Sequence, residues 1–244
     1  MIQIGDCALS LDKREKGSNL DFISHAHSDH IAAAKSSTRI LASGVTKELL
    51  LTINGIEPQQ ELVAPEGLHM INAGHILGSK QIVINDEKMG MKTIYTGDFQ
   101  MQKSRSCEMI DLEEADSVII DSTYYQPDVV FDERSEVEGA IQSWTDMKLN
   151  DGIVLFGTYA LGKAQELTAI LNDMRILPIV SKKISRINKV YKKSKVIKGA
   201  KKGRLMAPKT TRHVLIQDGE ELTFHGNDSA EPEINFPLEL LRKL

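Results

Sequence analysis

Short apolar runs bounded by Gly, Asn, Asp or Ser dominate the first half of this chain. They fall at residues 2–11, 19–24, 38–42, 68–73, 81–85, 92–97 and 117–121, and each has the length and punctuation of a β-strand. A helical period replaces this pattern at 43–52 and again at 132–147, 161–173 and 182–193, with strand-like runs at 152–156 and 178–180 between the later helices. The tail returns to strands at 213–217 and 221–224, turning at Asp218-Gly219, and closes with a short helix at 236–244. Residues 195–211 show no period and many Lys and Gly, which predicts a mobile basic loop. Strands first and βα units later, arranged around one pair of sheets, predict a layered α/β fold with any domain boundary near Leu177. No internal repeat is visible.

At 244 residues the chain can hold one large α/β domain with an ample core. No apolar run reaches the length of a membrane span, and the first six residues lack the basic and apolar regions of a signal peptide. A cytoplasmic protein with no membrane partner is therefore expected. The two cysteines, Cys7 and Cys107, lie too far apart in sequence to form a disulfide framework or a Cys-based zinc site.

The net charge of −4 conceals a strong segregation. Between Met174 and Gln217 there is no Asp or Glu but there are 14 basic residues; the other 16 face 34 acidic ones, so the segment carries +14 and the remainder −18. Lys182, Lys183, Arg186, Lys189, Lys192, Lys193, Lys201 and Lys202 lie in it. A solubilising helix face needs no such separation of sign, so the stripe points to a polyphosphate partner, RNA or DNA.

Candidate chemistry is concentrated at His25-Ala26-His27-Ser28-Asp29-His30, directly behind the apolar run 20–23. Three of the seven histidines and a carboxylate sit within six residues. If 19–24 is a strand, His25 and His27 point the same way, while Asp29 and His30 open a helix suggested by Ile31-Ala32-Ala33-Ala34. One turn could feed two adjacent metal ions; the nitrogen and oxygen donors suit Zn²⁺ and also admit Mn²⁺ or Fe. Two further candidates end strands: His75 in Gly74-His75-Ile76-Leu77-Gly78-Ser79, and Asp98 behind Gly97.

These residues resemble the HxHxDH signature of the metallo-β-lactamase superfamily, read here as His25, His27, Asp29 and His30, with His75 and the bridging Asp98 completing the pattern over about the first two thirds of the chain. The resemblance implies an αββα sandwich with a dinuclear site at the edge between the sheets. Asp12 resembles the family's first acidic motif, supporting the signature from behind the ligands; a cap at a strand end is the other reading. Asp121-Ser122-Thr123-Tyr124 and Leu155-Phe156-Gly157-Thr158-Tyr159-Ala160-Leu161-Gly162-Lys163-Ala164-Gln165-Glu166-Leu167 are similar to segments of the β-CASP nucleases, a branch that processes RNA 3′ ends and repairs DNA. Asp121 is then either an acidic partner orienting a catalytic group or a structural strand end.

That branch carries a sizeable inserted domain after this segment. Here the basic residues 178–212 stand in its place, which divides the chain into a core at 1–177, that segment, and strands and a helix at 213–244 completing the core. The family's histidine that protonates the leaving oxygen has no convincing match, His213 being the one nearby candidate. His225, in Phe224-His225-Gly226-Asn227, resembles the last ligand of the second metal or else ends a hairpin, and His69 reads as a strand residue. Carried over, His25, His27 and His75 bind one Zn²⁺, Asp29, His30 and His225 bind the other, and Asp98 bridges. Asp29, Asp98 and Asp121 would carry catalysis by a metal-dependent nuclease. A thioester or lactone hydrolase would need a closed apolar pocket and leave the basic segment unexplained. A noncatalytic nucleic-acid-binding relative would be marked by lost ligands. A homodimer or partner chain could complete the groove.

Overall fold

The computed structural model describes residues 1–35, 39–57, 64–150, 152–198, 200–202 and 214–218. The chain forms two compact units, Met1–Gln126 and Pro127–Leu244.

The first unit holds two four-stranded sheets. In one, β1 (Ile2–Ile4) and β2 (Cys7–Leu11) form a hairpin, so the single run expected at 2–11 is split where Gly5-Asp6 turns the chain. β3 (Leu20–Phe22) and β4 (Ile40–Leu41) add parallel to β2, giving the order β1-β2-β3-β4. In the other sheet, β5 (Leu68–Asn72), β6 (Lys80–Asp86) and β7 (Met91–Tyr95) form an antiparallel meander, with β8 (Ser117–Ile119) parallel to β7. Leu9, Leu20, Phe22 and Leu41 of the first sheet share one buried cluster with Leu68, Ile82 and Ile84 of the second. The two sheets thus bury apolar faces against each other. At roughly 25 cal/mol per Å² of apolar surface, burial of this cluster holds the two sheets together.

Helix α1 (Gly44–Asn54) begins where the Ser43 hydroxyl accepts the Thr46 amide at 3.0 Å and ends at left-handed Gly55, whose amide bonds Leu51. The helix expected from Ile31-Ala32-Ala33-Ala34 is absent. A turn closed by His30 N–H on the His27 carbonyl leads instead into one 3-10 turn at Ala33–Lys35. Burial of Ile31, Ala33 and Ala34 outweighs the few tenths of a kcal/mol that alanine propensity offers.

The second unit is built on a parallel sheet. Its elements are α2 (Arg134–Leu149), β9 (Val154–Thr158), α3 (Lys163–Asp173), β10 (Ile179–Val180), α4 (Lys182–Lys193), β11 (Lys201–Lys202) and β12 (Val214–Asp218). The strand order is β11-β10-β12-β9, and every pairing is parallel. Alternating strands and helices require this, because each crossover helix returns the chain to the same end of the sheet. Two expectations change accordingly. Among the described residues there are three sheets rather than one pair. In the run expected to be a loop at 195–211, residues 195–198 and 200 form neither helix nor strand, Lys201–Lys202 form β11, and 203–211 lie outside the described residues. The strand near 213–217 pairs with β9 within this unit, and Leu177 lies inside it too. The strand and helix expected at 221–224 and 236–244 lie outside the described residues.

Helix α3 is buried from Ala164 to Asn172, including Glu166, whose carboxylate pairs with the Arg134 guanidinium of α2 at 3.0 Å. Helix α4 starts where the Ser181 hydroxyl accepts the Ile184 amide, and Ile184, Ile187, Val190 and Tyr191 face the core.

Candidate metal centre

Among the described residues, the convergent histidines and carboxylates of the site lie in the first unit. The loop leaving β3 carries His25, His27 and His30; the loop between β5 and β6 carries His75; Asp98 follows β7. Strand ends on one edge of the two sheets therefore converge. The His75 loop is fixed by the buried Ser79 hydroxyl, which accepts the amides of His75 at 3.1 Å and Ile76 at 3.2 Å. Asp98 is admitted by Gly97, whose φ is 54° and where a Cβ would lie 2.6 Å from Ser24 Cβ. No larger residue fits there with the Ser24 backbone in place.

His25, His27, His75 and Asp98 each offer one donor atom within 4.8 Å of the others. His27 Nδ1 lies 3.0 Å from His25 Nε2 and 3.2 Å from His75 Nε2, and Asp98 Oδ2 lies 3.5 Å from His75 Nε2 and 3.7 Å from His25 Nε2. His30 joins from the other side, its Nε2 3.1 Å from Asp98 Oδ1. Asp29 stands at the rim, with a mostly exposed side chain 3.7 Å from His30 Nε2. Asp121 is exposed, and its carboxylate accepts the Thr123 amide and hydroxyl at 3.2 and 3.0 Å. His69 faces outward on β5 and pairs with Glu113 at 3.1 Å. His213 and His225 lie outside the described residues.

Behind these donors, Asp12 is buried and left-handed, with φ 57°. Its carboxylate accepts four hydrogen bonds: the Ser24 amide at 2.7 Å, the Ser24 hydroxyl at 2.6 Å, the Tyr95 hydroxyl at 2.7 Å and His30 Nδ1–H at 2.8 Å. Tyr95 and Ser24 were not legible as site residues. An aromatic on a strand and a Ser at its end are ordinary, and Tyr95 stands 83 positions from Asp12.

The electrostatics divide the histidines. Burial, then the neighbouring imidazoles, push His25 well below the ordinary histidine range. His75 falls to about 4, through burial and His27, against the pull of Asp98. Burial also works against charge on His30, yet its bonds to Asp12 and Asp98 hold its pKa up at about 10. Asp98, although burial raises it, is drawn below the usual carboxylate value by His30 and the other imidazoles. At neutral pH His25 and His75 present lone pairs, as metal coordination requires, and His30 carries a proton. Convergent neutral imidazoles beside an ionised carboxylate fit a divalent cation of the zinc, manganese or iron type.

The basic residues belong to the second unit. Lys182, Lys183, Arg186, Lys189, Lys192 and Lys193 are all exposed on α4, with Lys183 3.6 Å from Asp218. Lys201 and Lys202 form the backbone of β11, and their side chains lie outside the described residues. No described helix is long and apolar enough to cross a membrane.

No protein-family model matches the chain. It is 34% identical over 181 residues to a "Probable DNA ligase" of Opitutus terrae, covering 70% of this chain and 17% of that protein. It is 29% identical over 204 residues to an "RNase J-like protein" of Methanocaldococcus jannaschii, covering 69% of this chain and 48% of that protein. Over 105 residues it is 37% identical to "Cleavage and polyadenylation specificity factor subunit 3" of Dictyostelium discoideum, covering 42% of this chain and 13% of that protein. The chain thus spans less than half the length of each of these relatives.

Proposed function

We propose that this chain, a relative of the β-CASP nucleases of the metallo-β-lactamase superfamily, is a metal-dependent hydrolase that cleaves phosphodiester bonds in RNA or DNA. The observation that carries the reading is the convergence of His25, His27, His75 and Asp98 within 4.8 Å, from three separate loops. Relatives whose names state an RNase J-like protein and a cleavage and polyadenylation specificity factor subunit support it.

Two Zn²⁺ ions, or Mn²⁺ or Fe in their place, would be held by His25, His27 and His75 on one side and by Asp29, His30 and His225 on the other, with Asp98 between. When bound, such ions supply an activated water for in-line attack and neutralise phosphate charge. The chain's own residues supply the frame. His30 is aimed by Asp12, which fixes its tautomer with Nε2 toward Asp98. Tyr95 and Ser24 in turn hold the Asp12 carboxylate in place through hydrogen bonds at 2.7 and 2.6 Å. Asp121 adds negative charge that acts against the fall of the His75 pKa, without reversing it. We assign the two sheets of the first unit to the inner layers of an αββα sandwich; their shared apolar cluster supports that assignment.

RNA is the first substrate expected. DNA is a second reading, which the relative named as a DNA ligase supports. Labelled single-stranded RNA and DNA, incubated with metal-loaded protein beside an Asp98→Ala control, decide both points. Cleavage of either that disappears with Asp98→Ala is the expected result. No Asp98-dependent cleavage of either polymer, with hydrolysis of a simple thioester present, overturns the proposal.

A further inference from the structure

The outward side of α4 is unusual among the elements of this chain. Its buried side, Ile184, Ile187, Val190 and Tyr191, is seated in the second unit, so it has no apolar face left to enter a lipid surface. Its outward side carries Lys182, Lys183, Arg186, Lys189, Lys192 and Lys193, all exposed and with no acid on the helix. At 3.6 residues per turn, Lys182, Arg186, Lys189 and Lys193 fall within an arc of about 60°, a line of cations about 16 Å long. Lys192 flanks it on one side and Lys183, 3.6 Å from the Asp218 carboxylate, on the other, so basic side chains span roughly 180° of the helix.

We propose that this face of α4 is a docking ridge for the sugar-phosphate backbone of a B-form DNA duplex. The inference rests on the reading of the chain as a nucleic-acid hydrolase, in its DNA form rather than its RNA form, and names the form of polymer that α4 engages. Three features select that form. The exposed positions hold no aromatic ring, so a single strand, whose non-specific binders gain by stacking bases, gains only phosphate contacts here. A duplex presents one charge per about 1.7 Å of axis, the higher density for a rigid line of cations to match. Charge on both flanks matches a groove with phosphates on either side: the B-form major groove, about 12 Å wide, admits an exposed helix ridge, whereas the A-form groove of duplex RNA is too deep and narrow. With Lys and Arg alone, the ridge holds backbone and reads no sequence.

Fluorescence anisotropy of the full chain, in an Asp98→Ala background that binds without cleaving, tests this with a 20-base-pair DNA duplex, its separated strands and an RNA duplex of the same sequence. The DNA duplex is expected to bind about tenfold or more tighter than the other three probes. The triple substitution K182Q/R186Q/K189Q should erase that advantage and reduce the slope of log K against log salt by about 2 to 3. A K16Q/K88Q/K103Q control, equal in charge change but on the first unit, should leave it intact. Far-UV circular dichroism verifies that both variants are folded, and Trp144 fluorescence adds a check on the second unit. Equal affinity for single strands or duplex RNA, or equal losses in the control, overturns the proposal. Cleavage by the unsubstituted chain is scored separately, so a failed ridge and a failed nuclease reading give different results.

Discussion

Replacing Tyr95 by Phe removes one oxygen and leaves the rest of the ring in place. The ring packs edge-on to Phe22 with centroids 6.3 Å apart, a contact Phe retains, so the change isolates the 2.7 Å hydrogen bond from the Tyr95 hydroxyl to Asp12. That acceptor is a buried carboxylate with three other donors, so the lost bond is a charge-assisted one in a poorly solvated place, worth about 1.5–3 kcal/mol. The chain has two compact units, so a single denaturant midpoint would mix two transitions. Native-state hydrogen exchange reads the first unit alone. The Ser24 amide, bonded to Asp12 Oδ1, should exchange about 10- to 100-fold faster in the metal-free Tyr95→Phe protein, the factor that ~1.5–3 kcal/mol implies. Amides of α3 should not change. In an Asp12→Asn background the same substitution should cost much less, because the charge that strengthens the bond is gone. A Ser24 effect below about twofold, or one equal in both backgrounds, would refute the claim that Tyr95 acts through the Asp12 charge.

Gly97→Ala should destabilise the first unit by a few kcal/mol and abolish tight metal uptake, because a Cβ at φ 54° meets Ser24 at 2.6 Å; unchanged zinc content after dialysis would contradict this. Metal uptake at pH 7.5 should release about one proton from His30. Its pKa of about 10 in the metal-free site lies above the ordinary 6.5, so the proton is fully bound below 6.5 and lost only as pH passes 10, while His25 and His75 have none to give. Titration calorimetry in buffers of different ionisation enthalpy measures this, and a buffer-independent heat would exclude it. Arg134→Ala should cost the second unit about 3–5 kcal/mol by removing the guanidinium that pairs with the buried Glu166 carboxylate at 3.0 Å; urea unfolding followed by Trp144, which packs on Phe156, reads that unit directly.

The helices were legible because their apolar periods and caps agree. The run at 182–193 coincides with α4, and Ser43 and Ser181 stand as N-caps where the periods begin. Strand positions were legible too, but not the number of sheets. Alternation of apolar and polar residues tells that a run is extended without saying which strand it pairs with, and β12 finds β9 about sixty positions away. The same limit applied at the site. His25, His27 and His30 were visible as a dense cluster because they are adjacent. The support from Tyr95 and Ser24 was not, since a hydrogen bond between distant strands leaves no periodic trace.

The basic stretch shows what composition conceals. Lys and Gly without a period read as a loop from 195 to 211, but the basic run before it, 182–193, is a helix whose apolar stripe, Ile184, Ile187, Val190 and Tyr191, is buried. Once that stripe is anchored, the lysines of α4 can point only outward, and a fixed row of cations differs from a mobile one. A mobile arm loses side-chain and backbone entropy each time it binds; a row held on a packed helix has its backbone order already in place, leaving only side-chain freedom to lose. The acidic balance of the remaining sequence sharpens the consequence. On the proposed reading, an acidic first unit would repel a phosphodiester until cations fill the cluster at Asp98, so α4 would serve to hold the polymer and the metal to let one phosphate approach. Substitutions on α4 should therefore move affinity and its salt dependence, whereas Asp98→Ala should move the cleavage rate.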